Sequence, residues 1–132
     1  MRRTAITAGA VVCLTAVAAW NASTASAATY SARSATSSKG GYGTASVVVQ
    51  SGTGGTTATV TVCDNGAPDG LRAVAYLGGG EPVHAAGGSG SCNTASYRIV
   101  FNGNYPLQVA LRNGATGSDV YHGTPVDVYI HP

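Results

Sequence analysis

Residues 44–63 read TASVVVQSGTGGTTATVTVC, and this stretch decides the fold class. In its second half, apolar side chains alternate with threonines at the two-residue period of a β-strand that buries one face, the apolar ones being Ala58, Val60 and Val62. Its first half, 44–50, carries three consecutive valines, and the glycine-rich segment 52–55 separates the halves. Valine and threonine are both β-branched, so the stretch predicts two strands joined by a turn.

Five further segments show the same kind of pattern, bounded by clusters of Gly, Asn, Asp, Pro and Ser: 71–77, 82–86, 96–101, 107–112 and 126–131. The residues predicted to face the core are Leu71, Ala73, Ala75 and Leu77, then Tyr97, Ile99 and Phe101, then Leu107, Val109 and Leu111, and finally Val126, Val128 and Ile130. No window has the apolar spacing of a helix. About seven short strands without crossover helices predict a small antiparallel β-sandwich of the immunoglobulin or fibronectin type III kind, with a small closed barrel as the alternative.

The first 27 residues have the organisation of a secretory signal peptide. A basic start is followed by an apolar run over 5–19, and Ala25-Ser26-Ala27 supplies the small residues that signal peptidase requires. The run is about 15 residues long, shorter than the roughly 20 that span a bilayer. We therefore predict cleavage between Ala27 and Ala28 and a secreted, extracellular protein without a membrane anchor. Arg2-Arg3 leaves a twin-arginine export signal as the alternative route.

Composition after the cleavage point excludes several partners. Removing Arg2 and Arg3 from the seven Lys and Arg leaves five, which equals the five Asp and Glu. A neutral chain has no electrostatic footprint for nucleic acid or for an anionic membrane surface. Residues 28–43 are rich in Ser, Ala, Thr and Gly, and we predict a flexible N-terminal arm there, ahead of one β-sandwich domain over 44–132. The alanine, glycine and threonine bias is typical of GC-rich bacteria.

The cysteine content predicts one disulfide. Cleavage would remove Cys13 and leave Cys63 and Cys92 in a chain sent to an oxidising compartment. Closing a loop of about 30 residues would stabilise the fold by ~3–4 kcal/mol in the chain-entropy model. Two cysteines and three scattered histidines lack the paired ligand spacing of a zinc site, so no metal and no cofactor is predicted.

The polar residues that could carry chemistry form no recognisable catalytic pattern. The loop 64–70 holds Asp64 and Asp69 but lacks the ligand spacing of a calcium loop, and we predict an exposed, solvated turn. The histidines are His84, His122 and His131; Ser118 and Asp119 lie near His122 in sequence, but sequence proximity is no evidence for a triad. Gly88-Ser89-Gly90 lacks the strand-to-helix context of a nucleophile elbow. No catalytic residue is predicted.

Two tyrosines are predicted to lie on the outer surface of the domain. Tyr76 and Tyr129 fall on strand faces opposite the apolar sets, where tyrosine covers the rim of a sandwich or contacts a protein or a sugar. We therefore expect a monomeric, non-catalytic extracellular binding or structural module whose partner is a protein or a polysaccharide. A proteinaceous inhibitor of a secreted hydrolase is the alternative, and a small secreted hydrolase comes third.

Overall fold

The computed structural model describes residues 26–66 and 69–132. Within these ranges the chain forms ten strands: β1 (Ser26–Arg33), β2 (Tyr42–Gly52), β3 (Gly55–Asn65), β4 (Leu71–Leu77), β5 (Val83–His84), β6 (Cys92–Ile99), β7 (Gly103–Asn104), β8 (Leu107–Asn113), β9 (Asp119–Val120) and β10 (Tyr129–Ile130). No helix in the described part of the chain is long and apolar enough to cross a membrane. Most of the predicted signal peptide lies outside the described residues.

The strands form two four-stranded antiparallel sheets and one short two-stranded sheet. The first sheet has the order β1-β2-β3-β6, the second β5-β4-β8-β9, and β10 pairs with β7. The chain crosses from the first sheet to the second after β3, returns before β6 and crosses again before β8. One core cluster takes buried side chains from both four-stranded sheets, including Val47, Val60, Ala75 and Val109. The prediction of an all-β protein with antiparallel sheets is confirmed.

The opening stretch folds as its pattern predicts. The β2–β3 hairpin pairs Val47 with Val60, and the predicted inward side chains of β3 are fully buried, whereas the threonines that alternate with them at 57, 59 and 61 are half-buried. The leucines and valine of β8 are buried in the same way. The hydrophobic effect therefore selects one face of each strand, because a shift of one residue would turn every apolar side chain toward solvent.

The N-terminal segment differs from the prediction of a flexible arm over 28–43. Residues 26–33 form β1, which pairs with β2 along its whole length, and Tyr30 and Ala32 pack against the core. Tertiary pairing outweighs the weak composition of this segment, since β2 offers a row of backbone donors and acceptors that β1 satisfies. Both residues at the predicted cleavage point, Ala27 and Ala28, belong to β1.

Three other expectations are wrong. The strand count is ten in the described residues rather than about seven, because β1 and the two-residue strands β7 and β9 form outside the predicted segments. Phe101 was expected in the core but is 76% exposed, because β6 ends at Ile99 and the chain turns away. Asp64 was expected in an exposed loop but is 5% exposed, because β3 continues to Asn65 and its alternation turns residue 64 inward.

The predicted disulfide between Cys63 and Cys92 is confirmed. The two cysteines are direct cross-strand partners of β3 and β6, with their Cα atoms 4.1 Å apart. The bond therefore joins neighbouring strands of one sheet. It fixes β6, which follows a long excursion through the second sheet, to the side of β3.

Candidate binding groove

The outer surface of the first sheet carries a regular array of hydroxyl groups, which we call the hydroxyl face. Alternation along the four strands directs one set of side chains away from the core, and strand pairing aligns these sets in rows. Its hydroxyl residues are Thr29, Ser31, Thr44, Ser46, Thr57, Thr59, Thr61, Thr94 and Ser96. Neighbouring strands are about 4.8 Å apart and equivalent residues along a strand about 6.7 Å apart, so the hydroxyls form a lattice.

Some of these hydroxyls bond to one another across strands. Thr59 Oγ1 lies 3.0 Å from Ser96 Oγ, and Thr61 Oγ1 lies 2.9 Å from Thr94 Oγ. Each hydroxyl has one donor and two acceptor positions, so a pairwise bond leaves capacity for a further partner. The pairs fix the side-chain rotamers and leave polar groups directed at solvent.

Next to the hydroxyl face, the last part of the chain departs from regular pairing. Leu111 pairs with Val120, but the next bond to β8 comes from the Gly123 amide to the Val109 carbonyl, at 2.8 Å. One extra residue is therefore inserted, which defines a β-bulge at residues 121–122. Tyr121 has a φ of 52°, in the left-handed region that residues other than glycine seldom adopt. The bulge turns this segment toward the edge of the first sheet.

The bulge is tied to β1 and the turn after it by backbone contacts. The Ala35 amide donates to the Tyr121 carbonyl at 3.0 Å. Gly123 lies so close to the Arg33 carbonyl that a Cβ atom at this position would collide with it. Glycine is required there because the two backbones touch.

An open groove of about 790 Å³ lies between β1 and the segment that follows the bulge. Its polar lining residues are Ser31, Arg33, Ser34, Thr44, Ser46, His122 and Thr124. Four of them, Ser31, Arg33, Thr44 and Ser46, also belong to the outer surface of the first sheet, so the groove opens directly onto the hydroxyl face. Among the residues that the structure describes, no Asp or Glu lines it. Concave sites with a few converging polar groups are the usual places for ligand binding.

Arg33 holds a defined position at the groove. Its guanidinium carbon lies 3.9 Å from the centre of the Tyr42 ring, on the adjacent strand, in a cation–π contact. The contact leaves guanidinium N–H groups free to donate, because stacking uses the face of the group and not its edge. The side chain is exposed. Arg33 is thus an oriented cation at the boundary between the groove and the hydroxyl face.

A second polar cluster lies on the outer surface of the second sheet. Arg112 Nε donates to Asp119 Oδ1 at 2.6 Å, and Arg112 Nη2 donates to Tyr76 Oη at 2.9 Å, while Tyr76 also donates to Asp119. The hydrogen bonds from Arg112 lower the pKa of Asp119, and burial together with the bond to Asp119 raises the pKa of Tyr76. The three groups satisfy one another, so this cluster has the character of a structural clasp between β4, β8 and β9.

The pairing of Asp119 with His122 considered from the sequence does not form a catalytic dyad. His122 Nε2 lies 3.2 Å from the Asp119 backbone oxygen, whereas the Asp119 carboxylate is occupied by Arg112 and Tyr76. A general base would need the carboxylate to orient its ring. His122 is instead exposed and lines the groove.

Asp64, near the end of β3, and Asp69, in the loop after it, interact electrostatically but lie in different settings. Asp69 accepts hydrogen bonds from Ser37 Oγ at 3.0 Å and from the Leu71 amide at 3.1 Å. The buried Asp64 has a carboxylate oxygen, Oδ2, without a hydrogen-bond partner among the described residues. Burial, and then the negative charge of Asp69, raise the pKa of Asp64. The burial of Asp64 therefore makes the stability of the fold depend on pH, but Asp64 and Asp69 do not form a cluster of metal ligands.

The remaining residues singled out from the sequence are separate from the groove. His84 is half-buried on β5, and His131 is exposed near the end of the chain. Ser89 Oγ donates to the Gly66 carbonyl, so the glycine-rich loop around it packs against the end of β3. Within residues 26–66 and 69–132, no group of three or more His, Cys, Asp or Glu could hold a metal ion.

Sequence reasoning missed the groove altogether. Its walls come from residues 31–35 and 44–46 and from a distant segment, 122–126, and the first of these was expected to be flexible. The available signals were the small, hydroxyl-bearing residues of 29–34 and the Tyr121-His122-Gly123 break in an alternating segment, since glycine there indicates close backbone approach. No family model, curated protein or solved structure matches this chain.

Proposed function

We propose that this protein is a secreted, extracellular, non-catalytic binding module that holds its ligand in the groove between β1 and the 121–126 segment and on the adjoining hydroxyl face. The main observation that supports this proposal is the groove. It is an open concave surface that joins an oriented cation, a histidine and several hydroxyls. Such a surface binds a polar ligand without supplying a nucleophile and base in contact.

The disulfide and the regular hydroxyl array support an extracellular role. Disulfides persist in oxidising compartments, which agrees with the predicted signal peptide over 1–27. A rigid array of short hydroxyl side chains lowers the entropy lost on binding, because threonine and serine have few rotamers to restrict. A polysaccharide, which presents repeating hydroxyls, is the partner class that fits this surface best.

The finer architecture belongs to the same proposal. We infer an immunoglobulin or fibronectin type III-like sandwich from the two four-stranded sheets and the three chain crossings between them. The disulfide lies within one sheet, whereas antibody domains join their two sheets by the bond. The fibronectin type III kind is therefore the better description.

A second candidate function, inhibition of a secreted hydrolase, is favoured by a different observation. Val100 and Phe101 are 62% and 76% exposed at the end of β6. Tyr105 Oη donates to the Phe101 carbonyl at 2.7 Å, which holds this loop in place. A rigid loop with an exposed aromatic residue is suited to the specificity pocket of an enzyme.

One retention experiment separates the two functions. The secreted protein is incubated with a panel of insoluble polysaccharides and with supernatant hydrolases, alongside Ser46→Tyr, Thr53→Tyr and Phe101→Ala. Ser46 lines the groove, whereas Thr53 is exposed in the turn between β2 and β3, outside the groove and the hydroxyl face, which makes it the matched control. Loss of retention with Ser46→Tyr alone supports the groove. Loss of retention with Phe101→Ala, together with inhibition of the retained enzyme, would contradict binding in the groove and support inhibition through the loop that carries Phe101.

A further inference from the structure

Charge is distributed unevenly over the folded protein although the secreted chain is neutral. The hydroxyl face carries two charged side chains, both arginines: Arg33 on β1 and Arg98 on β6. All five carboxylates lie elsewhere. Asp64 is buried, Asp69 and Glu81 lie in turns, Asp119 is on the second sheet, and Asp127 lies between β9 and β10.

The two arginines are placed so that each remains available to a ligand. Arg33 stacks on Tyr42, and the guanidinium of Arg98 lies over Gly55 on the neighbouring strand. The salt bridge found in the described residues belongs to Arg112 and Asp119, on the opposite sheet. Neither Arg33 nor Arg98 is therefore neutralised by an acid.

The groove adjoins this surface at Arg33. His122 stands on the wall opposite Arg33, and its neighbour Asp119 is already bound by Arg112. A guanidinium edge recognises a carboxylate through paired hydrogen bonds, and charge-assisted bonds of this kind are about twice as strong as neutral ones. The adjacent hydroxyls then match the sugar hydroxyls on either side of a carboxylate.

We propose that the ligand of the groove and hydroxyl face is an acidic polysaccharide built of uronic acid units, with Arg33 contacting a carboxylate at the mouth of the groove. This inference rests on the proposed function and specifies its ligand. A chain of sugars laid from the groove across the sheet meets Ser46 and Thr61 in one row before it reaches the far strand. Arg98 contributes at the diagonally opposite corner.

The test compares two forms of one polymer, polygalacturonate and its fully methyl-esterified form. Esterification removes the negative charge and retains the sugar backbone. We expect the secreted protein to be retained on immobilised polygalacturonate, to bind the ester about tenfold more weakly, and to lose about tenfold in affinity with Arg33→Gln. The matched control is Arg72→Gln, an exposed arginine on the outer surface of the second sheet, with an unchanged affinity.

Three outcomes would overturn the inference. Equal binding of the ester would show that charge is not read, and the proposed binding function would survive with a neutral polysaccharide as its ligand. Equal losses with Arg33→Gln and Arg72→Gln would remove the groove from the interaction. Equal competition by DNA at matched charge would mean that charge alone is recognised. Failure of the proposed function is distinguishable, since it requires no retention on any polymer of the panel.

Discussion

Substitution of Gly123 by alanine would test whether the two sheet edges are held together as the structure indicates. A Cβ atom at residue 123 would occupy the position of the Arg33 carbonyl, with the neighbouring Ser34 Cα 3.0 Å away. Both obstacles are backbone atoms, so no rotamer change relieves the collision. The bulge would have to move away from β1, and the hydrogen bond from Ala35 to Tyr121 would lengthen or break.

The expected loss of stability follows from this geometry. Overpacking a closely packed site costs about 1–3 kcal/mol, and the contact between two backbones places Gly123→Ala toward the upper end. For a domain of about 100 residues each kcal/mol lowers the melting temperature by about 4–8 °C, so a fall on the order of 10 °C is expected. Thermal unfolding followed by circular dichroism measures it, and urea unfolding gives the free energy.

Gly79→Ala is the matched control. Gly79 has no heavy atom within 4 Å of an added Cβ and no positive φ, so alanine should change stability by less than about 0.5 kcal/mol. Arg33→Gln is a second control, because the carbonyl that Gly123 touches belongs to the backbone and survives the change. If Gly123→Ala melts at the same temperature as Gly79→Ala, the two edges are not in contact and the groove has a different shape.

Four further predictions concern other parts of the chain. Removal of the disulfide by the double substitution Cys63→Ser and Cys92→Ser should lower the free energy of unfolding by ~2–5 kcal/mol in urea titrations, and labelling of both native cysteines by a thiol reagent would contradict the bond. Asp64→Asn should stabilise the protein by about 1 kcal/mol or more at neutral pH and have no effect at pH values where the carboxyl is protonated. Burial raises the pKa of Asp64, so the cost of burying the charged carboxylate develops as pH rises through that pKa. Glu81→Gln, on the surface, should not change the stability at either pH. Asp119→Ala should cost about 1 kcal/mol at neutral pH, and the difference from the wild type should vanish as pH falls through the pKa of Asp119, which Arg112 depresses; a difference that persists in acid would refute the pairing. N-terminal sequencing of secreted material should begin at Ala28, and a start more than a few residues away would displace the predicted cleavage point.

The reliability of sequence reasoning on this chain depended on whether a feature is local. The alternation of 57–63 and of 107–111 is a property of adjacent residues, and both segments form strands with the expected side chains buried. Phe101 follows the same alternation but is exposed, because pairing with β3 stops at Ile99 and period alone does not mark where a partner strand ends. The boundaries were therefore less predictable than the faces.

The features of the candidate site are all non-local. Asp119 and His122 are three residues apart, yet the carboxylate bonds to Arg112 and Tyr76 because strand pairing brings β4, β8 and β9 together. Arg33 reaches the groove because β1 is paired with β2, and composition gave no sign of that pairing. Neither contact could be read from spacing along the chain.

Sequence by itself determined the all-β class, the buried face of the central strands and the pairing of Cys63 with Cys92. The two-residue periodicity and the number of cysteines are properties of the sequence and do not depend on contacts between distant segments. Tertiary structure alone decided that residues 26–33 become an edge strand, that Asp64 is buried, and that a bulge brings Gly123 against Arg33. These outcomes depend on contacts between segments that are far apart in the sequence. Strand pairing likewise gives the first sheet an outer surface with two arginines and no carboxylate.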